Sequence, residues 1–307
     1  MRSRAVTPEP ATAVDILNIA IILLLTMLVT ILRHESREDT PWLLGIFVTL
    51  LVFTVLSLRF SNHGTYSRVL HDFSPALLVV VIFNAVGPVI ERANAERWDL
   101  VFAALDLRVF GTLAVLWHGL LRRPSWFTDL SYVAYCTYYV APIALAILLY
   151  RRPADGEFRL FVFTLVLTFY AAYALYFLFP TLGPRLSAAD ERTVIGGGAV
   201  SDTIRAFVHF AERNHTDAFP SGHTAGALVC LYFARRYSRG IFLVFLPVAG
   251  GIIFSTVYLY YHYIIDVVAG AALAGACVHA GLRLQPVLEP QALKQRFSMY
   301  RWPTESR

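Results

Sequence analysis

The sequence has little charge, few cysteines and almost no lysine. Only 15% of its 307 residues are Asp, Glu, Lys or Arg, against about 25% in a typical soluble domain. The three cysteines lie inside apolar runs, which argues against a disulfide framework or a zinc site. The basic residues are arginines except for Lys294. They are spread over separate loops and form no basic stripe, so nothing indicates binding to nucleic acid.

Hydrophobic residues, by contrast, make up 57% of the chain, and the mean hydropathy is +0.57. These values predict an all-α integral membrane protein with about eight transmembrane helices. The first apolar run lacks a signal-peptide cleavage site, and we interpret it as a retained helix. The candidate spans are 13–33, 42–60, 70–90, 128–150, 158–180, 221–237, 240–260 and 262–283.

Segment 97–121 is apolar on one side and charged on the other, which predicts a helix lying in the membrane interface. The long connection 181–219 contains apolar residues at helical spacing from Val200 to Ala211. This spacing predicts a short amphipathic helix with Ser201 or Asp202 as its cap.

The chain is expected to comprise N-terminal transmembrane helices (1–95), a membrane-embedded catalytic region (96–285) and a cytoplasmic tail (286–307). Arginines in the short loops predict that both termini are cytoplasmic. In that topology, His223 and His262 both lie on the extracytoplasmic face.

Two histidine motifs stand at the predicted ends of apolar helices, Phe219 to Thr224 and Tyr258 to Asp266. His262 precedes Asp266 by four residues, so the carboxylate is expected on the same helical face, within hydrogen-bonding reach of the imidazole. Such a partner fixes one ring nitrogen and leaves the other free to attack. Because ionisable groups are unfavourable at membrane depth, these residues indicate chemistry more than packing.

The first motif has the features of an anion site. Pro220 suits the first turn of a helix, and the backbone N–H groups of Ser221, Gly222 and His223 would then face a bound phosphate. Gly222 allows close approach to the backbone, and His223 can supply a proton near neutral pH. Arg185 adds a guanidinium that matches phosphate oxygens. Together these residues predict phosphoryl transfer without a metal or other cofactor.

These motifs resemble those of the type-2 phosphatidic acid phosphatase superfamily of membrane enzymes. The Pro-Ser-Gly-His motif is complete at 220–223. The last motif matches at Ser255, His262 and Asp266, with Thr256 where an arginine is usual. The superfamily's first motif is a lysine six residues ahead of an Arg-Pro pair. This chain keeps only Arg185 of that motif and lacks the lysine.

The segments 179–185 and 258–266 resemble those of fungal inositol phosphorylceramide synthases and inositolphosphotransferase-like proteins. That branch also lacks the lysine and the arginine. Gly222 departs from that branch, which tends to have a bulkier residue there. The resemblance implies a six-helix catalytic bundle in which His262 forms a phosphohistidine. It also implies that His223 protonates the leaving group, Asp266 supports the nucleophile and Arg185 contacts phosphate.

The sequence therefore predicts a metal-independent lipid phosphatase or head-group phosphotransferase. Its substrate would be a membrane lipid phosphate, and its acceptor would be water or an alcohol such as an inositol-like head group. Tyr176 and Tyr258 are candidates for the substrate pocket, although core packing explains Tyr176 more readily and an interfacial aromatic belt explains Tyr258 more readily.

The same residues are also compatible with two other functions. His223, His262 and Asp266 could be ligands of a zinc ion in a metal-dependent membrane hydrolase. Alternatively, His262 and Asp266 could form a proton relay in a lipid transporter. A transporter needs polar groups through the bilayer midplane, yet 225–233 and 241–261 contain no charged residue.

Overall fold

The computed structural model describes residues 11–32, 39–119, 124–151, 155–184 and 195–289, without the side chains of 112–119 and 155. These ranges contain helices and no β-strand, which confirms the predicted all-α class. The helices are α1 (Ala13–Ile31), α2 (Thr40–Phe60), α3 (Thr65–Ala93), α4 (Asp99–Gly119), α5 (Ser125–Tyr150), α6 (Asp155–Leu178), α7 (Ala199–Ala211), α8 (Gly222–Tyr237), α9 (Arg239–Tyr258) and α10 (Ile264–Leu288).

Seven of the described helices are long and apolar enough to cross a membrane: α1, α2, α3, α5, α6, α9 and α10. The eighth predicted span, 221–237, forms α8. Its 16 residues reach only about 24 Å, less than the hydrocarbon core of about 30 Å. The predicted helix at 97–121 forms as α4 and is not among the seven.

Helix α8 lies at the centre of the C-terminal bundle and contacts α5, α6, α9 and α10. Ala225, Val229 and Phe233, which lie on one side of it, are fully buried. A short helix is therefore enclosed by longer apolar ones, and its first turn is held inside the protein. That first turn carries His223.

Helices α1 and α3 pack against α6, and α2 packs against α1 and α3. One apolar cluster joins Leu78 and Ile82 of α3 to Phe163 and Ala172 of α6. Near the start of α1, the Glu289 carboxylate accepts a hydrogen bond from the Ala13 N–H. The start of α1 and the end of α10 therefore lie together.

Helix α7 forms where the amphipathic helix was predicted, but its cap is different. The N-cap is Gly198, and Ser201 and Asp202 lie inside the first turn. Ser201 faces the protein because Asp129 of α5 accepts hydrogen bonds from the Gly198 and Ser201 N–H groups, both at 2.9 Å, and from the Ser201 hydroxyl. The apolar residues that remain exposed are Val200, Phe207 and Phe210. The side of α7 that carries Ser201, Arg205 and Val208 is thus buried against the protein, while some large apolar side chains stay exposed.

Candidate active site

The two predicted histidines lie next to each other. His223 is in the first turn of α8, and His262 is in the turn between α9 and α10. Nε2 of His262 is 3.5 Å from Nδ1 of His223, and the ring centroids are 5.7 Å apart. Both residues are buried. The fold therefore brings two motifs separated by 39 residues to one point at one end of the bundle.

The hydrogen-bond partner of His262 is a backbone carbonyl. Nδ1 lies 2.8 Å from the Ala218 carbonyl oxygen, whereas Asp266 Oδ2 is 3.6 Å away, beyond hydrogen-bonding distance. The expected His262–Asp266 hydrogen bond is therefore replaced by a longer contact between the ring and the carboxylate. Because a carbonyl only accepts, Nδ1 carries the proton and Nε2 presents its lone pair towards His223.

Helix α10 begins at Ile264, two residues after His262, so the two side chains do not share a regular helical face. Asp266 instead lies in the first helical turn, where its Oδ2 accepts the Tyr263 N–H at 2.8 Å. This explains why the four-residue spacing brings the carboxylate close to the ring without making it the ring's hydrogen-bond partner.

Asp266 also joins the two motifs through its backbone. Its carbonyl oxygen accepts the Ser221 N–H at 3.0 Å, so the expectation that this N–H is available for phosphate is wrong. Ser221 is the N-cap of α8, and its Oγ accepts the Thr224 N–H at 3.2 Å. Pro220 precedes the cap and is not in the first turn as predicted.

Fewer backbone N–H groups are therefore available to a bound anion than the sequence predicted. The Gly222 and His223 N–H groups belong to the first turn of α8, where helical geometry provides no intrahelical acceptor. A Cβ atom on Gly222 would lie 2.8 Å from the Tyr176 hydroxyl, so a side chain here would crowd that tyrosine. Gly222, His223 and Tyr176 line one cavity.

Tyr258, the other tyrosine predicted for a substrate pocket, does not line this cavity. The residue is fully buried. Its hydroxyl lies 3.0 Å from Thr128 Oγ1, and its ring packs against Phe127 and Phe254. Tyr261 is also buried and stacks on Tyr135. These two tyrosines are packing residues and not members of an exposed aromatic belt.

A second carboxylate, Glu212, supports His223 and was missed by the sequence analysis. Its Oε1 lies 3.4 Å from His223 Nε2. It accepts a hydrogen bond from Tyr135 at 3.0 Å and another from Tyr139. The His223 ring lies close to the rings of Tyr135 and Tyr138, with centroids 4.6 and 4.1 Å away. Each imidazole therefore has a carboxylate nearby.

Asp99 of α4 holds the loop that leads to Arg185. Its Oδ1 accepts the N–H groups of Leu182 and Gly183 at 2.9 and 3.0 Å. Gly183 has φ +80°, and a Cβ atom there would lie 2.6 Å from the Tyr261 carbonyl oxygen. Only glycine fits this close approach next to the His262 turn. Arg185 itself lies outside the described residues.

Asp106, one helical heptad after Asp99, holds the start of α10. Its Oδ1 accepts the Ile265 N–H at 2.8 Å. Burial, with the nearby carboxylates of Asp99, Asp266 and Asp106, raises the pKa of Tyr263 to about 12. The Tyr263 phenol therefore stays protonated near neutral pH. The acidic residues of α4 thus fix the loop at 182–183 and the first turn of α10.

A metal centre would require His223, His262 and Asp266 to converge on one point. Across the described side chains, no group of three or more His, Cys, Asp and Glu residues is arranged to hold a metal ion. His262 Nδ1 faces Ala218, and Asp266 Oδ2 caps Tyr263. The three side chains therefore do not converge on a common point.

A buried pair of imidazoles with carboxylates and a helix N-terminus can provide a nucleophile, a proton donor and an anion-binding end. The matching family model, described as the PAP2 superfamily, covers residues 101–280, more than half of the chain. The protein belongs to this superfamily, whose members are generally phosphatases. The match runs from α4 into α10 and includes both histidines. Comparison with curated proteins and with solved structures found no match.

Proposed function

We propose that this protein is a lipid phosphatase or head-group phosphotransferase that forms a phosphohistidine on His262. The observation that carries the proposal is the contact between His262 Nε2 and His223, with His262 Nδ1 bound to Ala218. One ring is oriented as a nucleophile, and the other is placed to exchange a proton with the leaving group.

In the first step, His262 Nε2 attacks phosphorus, and the bond from phosphorus to the lipid oxygen breaks. Protonated His223 gives its proton to that oxygen, and the Glu212 carboxylate stabilises the charged ring beforehand. In the second step, water or an alcohol attacks the phosphohistidine and returns a proton to His223. Water yields phosphate, and an alcohol yields a new phosphoester.

The ring spacing implies a movement when substrate binds. A near-attack contact of about 3–3.5 Å and a proton-transfer hydrogen bond of about 2.6–3.2 Å cannot both fit in 3.5 Å. The rings must therefore separate around the phosphoryl group.

The phosphate charge would be neutralised by the first turn of α8 and by Arg185. The loop before Arg185 is fixed against Tyr261 and Ala218, which supports a role for this arginine beside His262. Thr256, where the superfamily resemblance leads one to expect an arginine, is buried. Its carbonyl accepts the N–H groups of Tyr261 and His262 at 2.9 and 3.1 Å. This position shapes the turn and adds no charge.

The branch resemblance favours transfer of a phosphorylated head group to an inositol-like alcohol, and the complete Pro-Ser-Gly-His motif is equally suited to hydrolysis. We propose that the site faces the extracytoplasmic side and that both termini are cytoplasmic, which requires the short, enclosed α8 to cross together with the seven longer helices. In support, Arg235 and Arg236 lie in the last turn of α8, at the opposite end from His223. Short arginine-rich segments favour the cytoplasmic side.

The test supplies the purified protein with labelled phosphatidic acid or inositol phospholipids, with and without free inositol. Inorganic phosphate identifies a phosphatase, and a new labelled phospholipid that depends on the acceptor identifies a transferase. His262→Ala, with unchanged helix content, should give neither product. Wild-type turnover in that variant would refute the proposed nucleophile.

A further inference from the structure

A long apolar groove begins at the candidate active site and runs into the membrane region. Its cavity has a volume of about 320 Å³. One end is lined by His223, Gly222 and Glu212, and the other end is lined by Asp72 and Phe73 of α3. Between these ends, almost all of the lining is aliphatic or aromatic. The cavity is therefore continuous with the site but has a different chemistry over most of its length.

One face of α6 forms the floor of this groove. Phe161, Leu165, Phe169 and Tyr173 line the groove at intervals of four residues, and Tyr176 completes the row. At 1.5 Å per residue, the row from Phe161 to Tyr176 is about 22 Å long. Half of a hydrocarbon core is about 15 Å thick. The groove can thus hold one lipid chain of ordinary leaflet length, with room left for the phosphate end.

The walls of the groove come from α3 and α5, and they leave it open to the bilayer. Val80 of α3 and Ile143 of α5 line the groove and are also about half exposed, at 53% and 47%. A chain could enter sideways between them without leaving the hydrocarbon. At the far end, Asp72 Oδ1 lies 3.3 Å from His71 Nδ1. Charged groups are unfavourable neighbours for a chain that extends further.

We propose that this groove binds one linear hydrocarbon chain of the phosphorylated lipid, with the chain end near Phe73, Ala146 and Phe161. This inference rests on the proposed function, and it assigns a substrate-binding role to α3, which lies before the matched region 101–280. Because the surrounding bilayer is as apolar as the groove, selection of the chain depends on its fit and length rather than on hydrophobicity.

The first test measures binding without turnover. His262→Ala protein in phosphatidylcholine vesicles is photolabelled with phosphatidic acid that carries a diazirine at the end of one long acyl chain. Labels are expected at Phe73, Ala146 or Phe161, in excess over those from a diazirine phosphatidylcholine. Equal labelling by both probes, or labels confined to lipid-facing residues such as Leu77, would overturn the groove assignment. Because this readout needs no product, failure of the proposed reaction is seen separately.

The second test fills the groove. Ala146→Trp places a large ring at a lining position that is 7% exposed, whereas Leu77→Trp is a control on the 55% exposed, lipid-facing side of α3. A hexanoyl chain has about one third of the carbons of an oleoyl chain, so it depends much less on the far end of the groove, where Ala146 lies. Ala146→Trp should lower the rate ratio of dioleoyl to dihexanoyl phosphatidic acid at least about 10-fold, and Leu77→Trp should leave it unchanged. Misfolding would lower both rates together, and an unchanged ratio in folded Ala146→Trp would contradict the inference.

Discussion

Replacing Gly270 with alanine should force α10 away from the start of α8. A Cβ atom at Gly270 would lie 2.5 Å from the Ser221 carbonyl oxygen and 3.1 Å from Thr224 Cβ, and ordinary contacts begin at 3.4 Å. The obstacle is backbone, so the helices must move apart by about 1 Å, a displacement that can reduce turnover by about 100-fold. Since α8 carries His223 and α10 follows His262, the movement acts directly on the ring pair.

Gly275 provides a matched control on the same helix, because a Cβ atom there would meet nothing within 4 Å. Either alanine should favour the helix itself by up to about 1 kcal/mol. Loss of activity in Gly270→Ala therefore would not reflect a weaker helix. The assay compares kcat for a lipid phosphate in the two variants, with thermal unfolding measured in parallel. Wild-type kcat in Gly270→Ala would refute the reasoning that close packing of α8 and α10 aligns the two rings.

Three further predictions follow from contacts in the site. Glu212→Gln should lower kcat about 10-fold. It should also move the alkaline limb of the pH–rate profile to lower pH, because charged His223 loses its carboxylate neighbour. An unchanged profile would contradict that role. Asp99→Ala should raise KM more than it lowers kcat, because it releases the loop before Arg185. Asp99→Asn keeps an acceptor oxygen and should have a milder effect. Equal effects of the two substitutions would count against the role of Asp99 in holding the loop. Turnover should survive EDTA and be inhibited by vanadate, whereas loss with EDTA and recovery with zinc would favour the metal-dependent alternative.

The membrane class and the meeting of the two histidine motifs could be predicted because they depend on long apolar runs and on short local patterns. The partners of these histidines could not be predicted in the same way. Ala218 acts through its carbonyl, and Asp266 and Ser221 are joined through backbone atoms. Backbone groups leave no trace in a pattern of side chains, so the sequence suggested the nearest carboxylate instead.

Glu212 and Asp99 were missed for a different reason. Glu212 is the C-cap of α7, 11 residues before His223, and reaches the ring because α7 is held against α5 by hydrogen bonds to Asp129. Asp99 lies on α4, where its charge suggested a water-facing helix surface, yet its carboxylate accepts two backbone N–H groups of the loop at 182–183. In both cases the tertiary arrangement, and not the local pattern, determines the role of the carboxylate.

The central claim is that the phosphoryl group resides for a time on Nε2 of His262. The most direct measurement is rapid quenching at alkaline pH during turnover of a radiolabelled lipid phosphate, followed by mass spectrometry of the labelled peptide. The account predicts an acid-labile phosphate on His262, absent in His262→Ala and present in a slowly turning-over His223→Ala variant. Turnover without any phosphorylated histidine, or with the label on another residue, would contradict it.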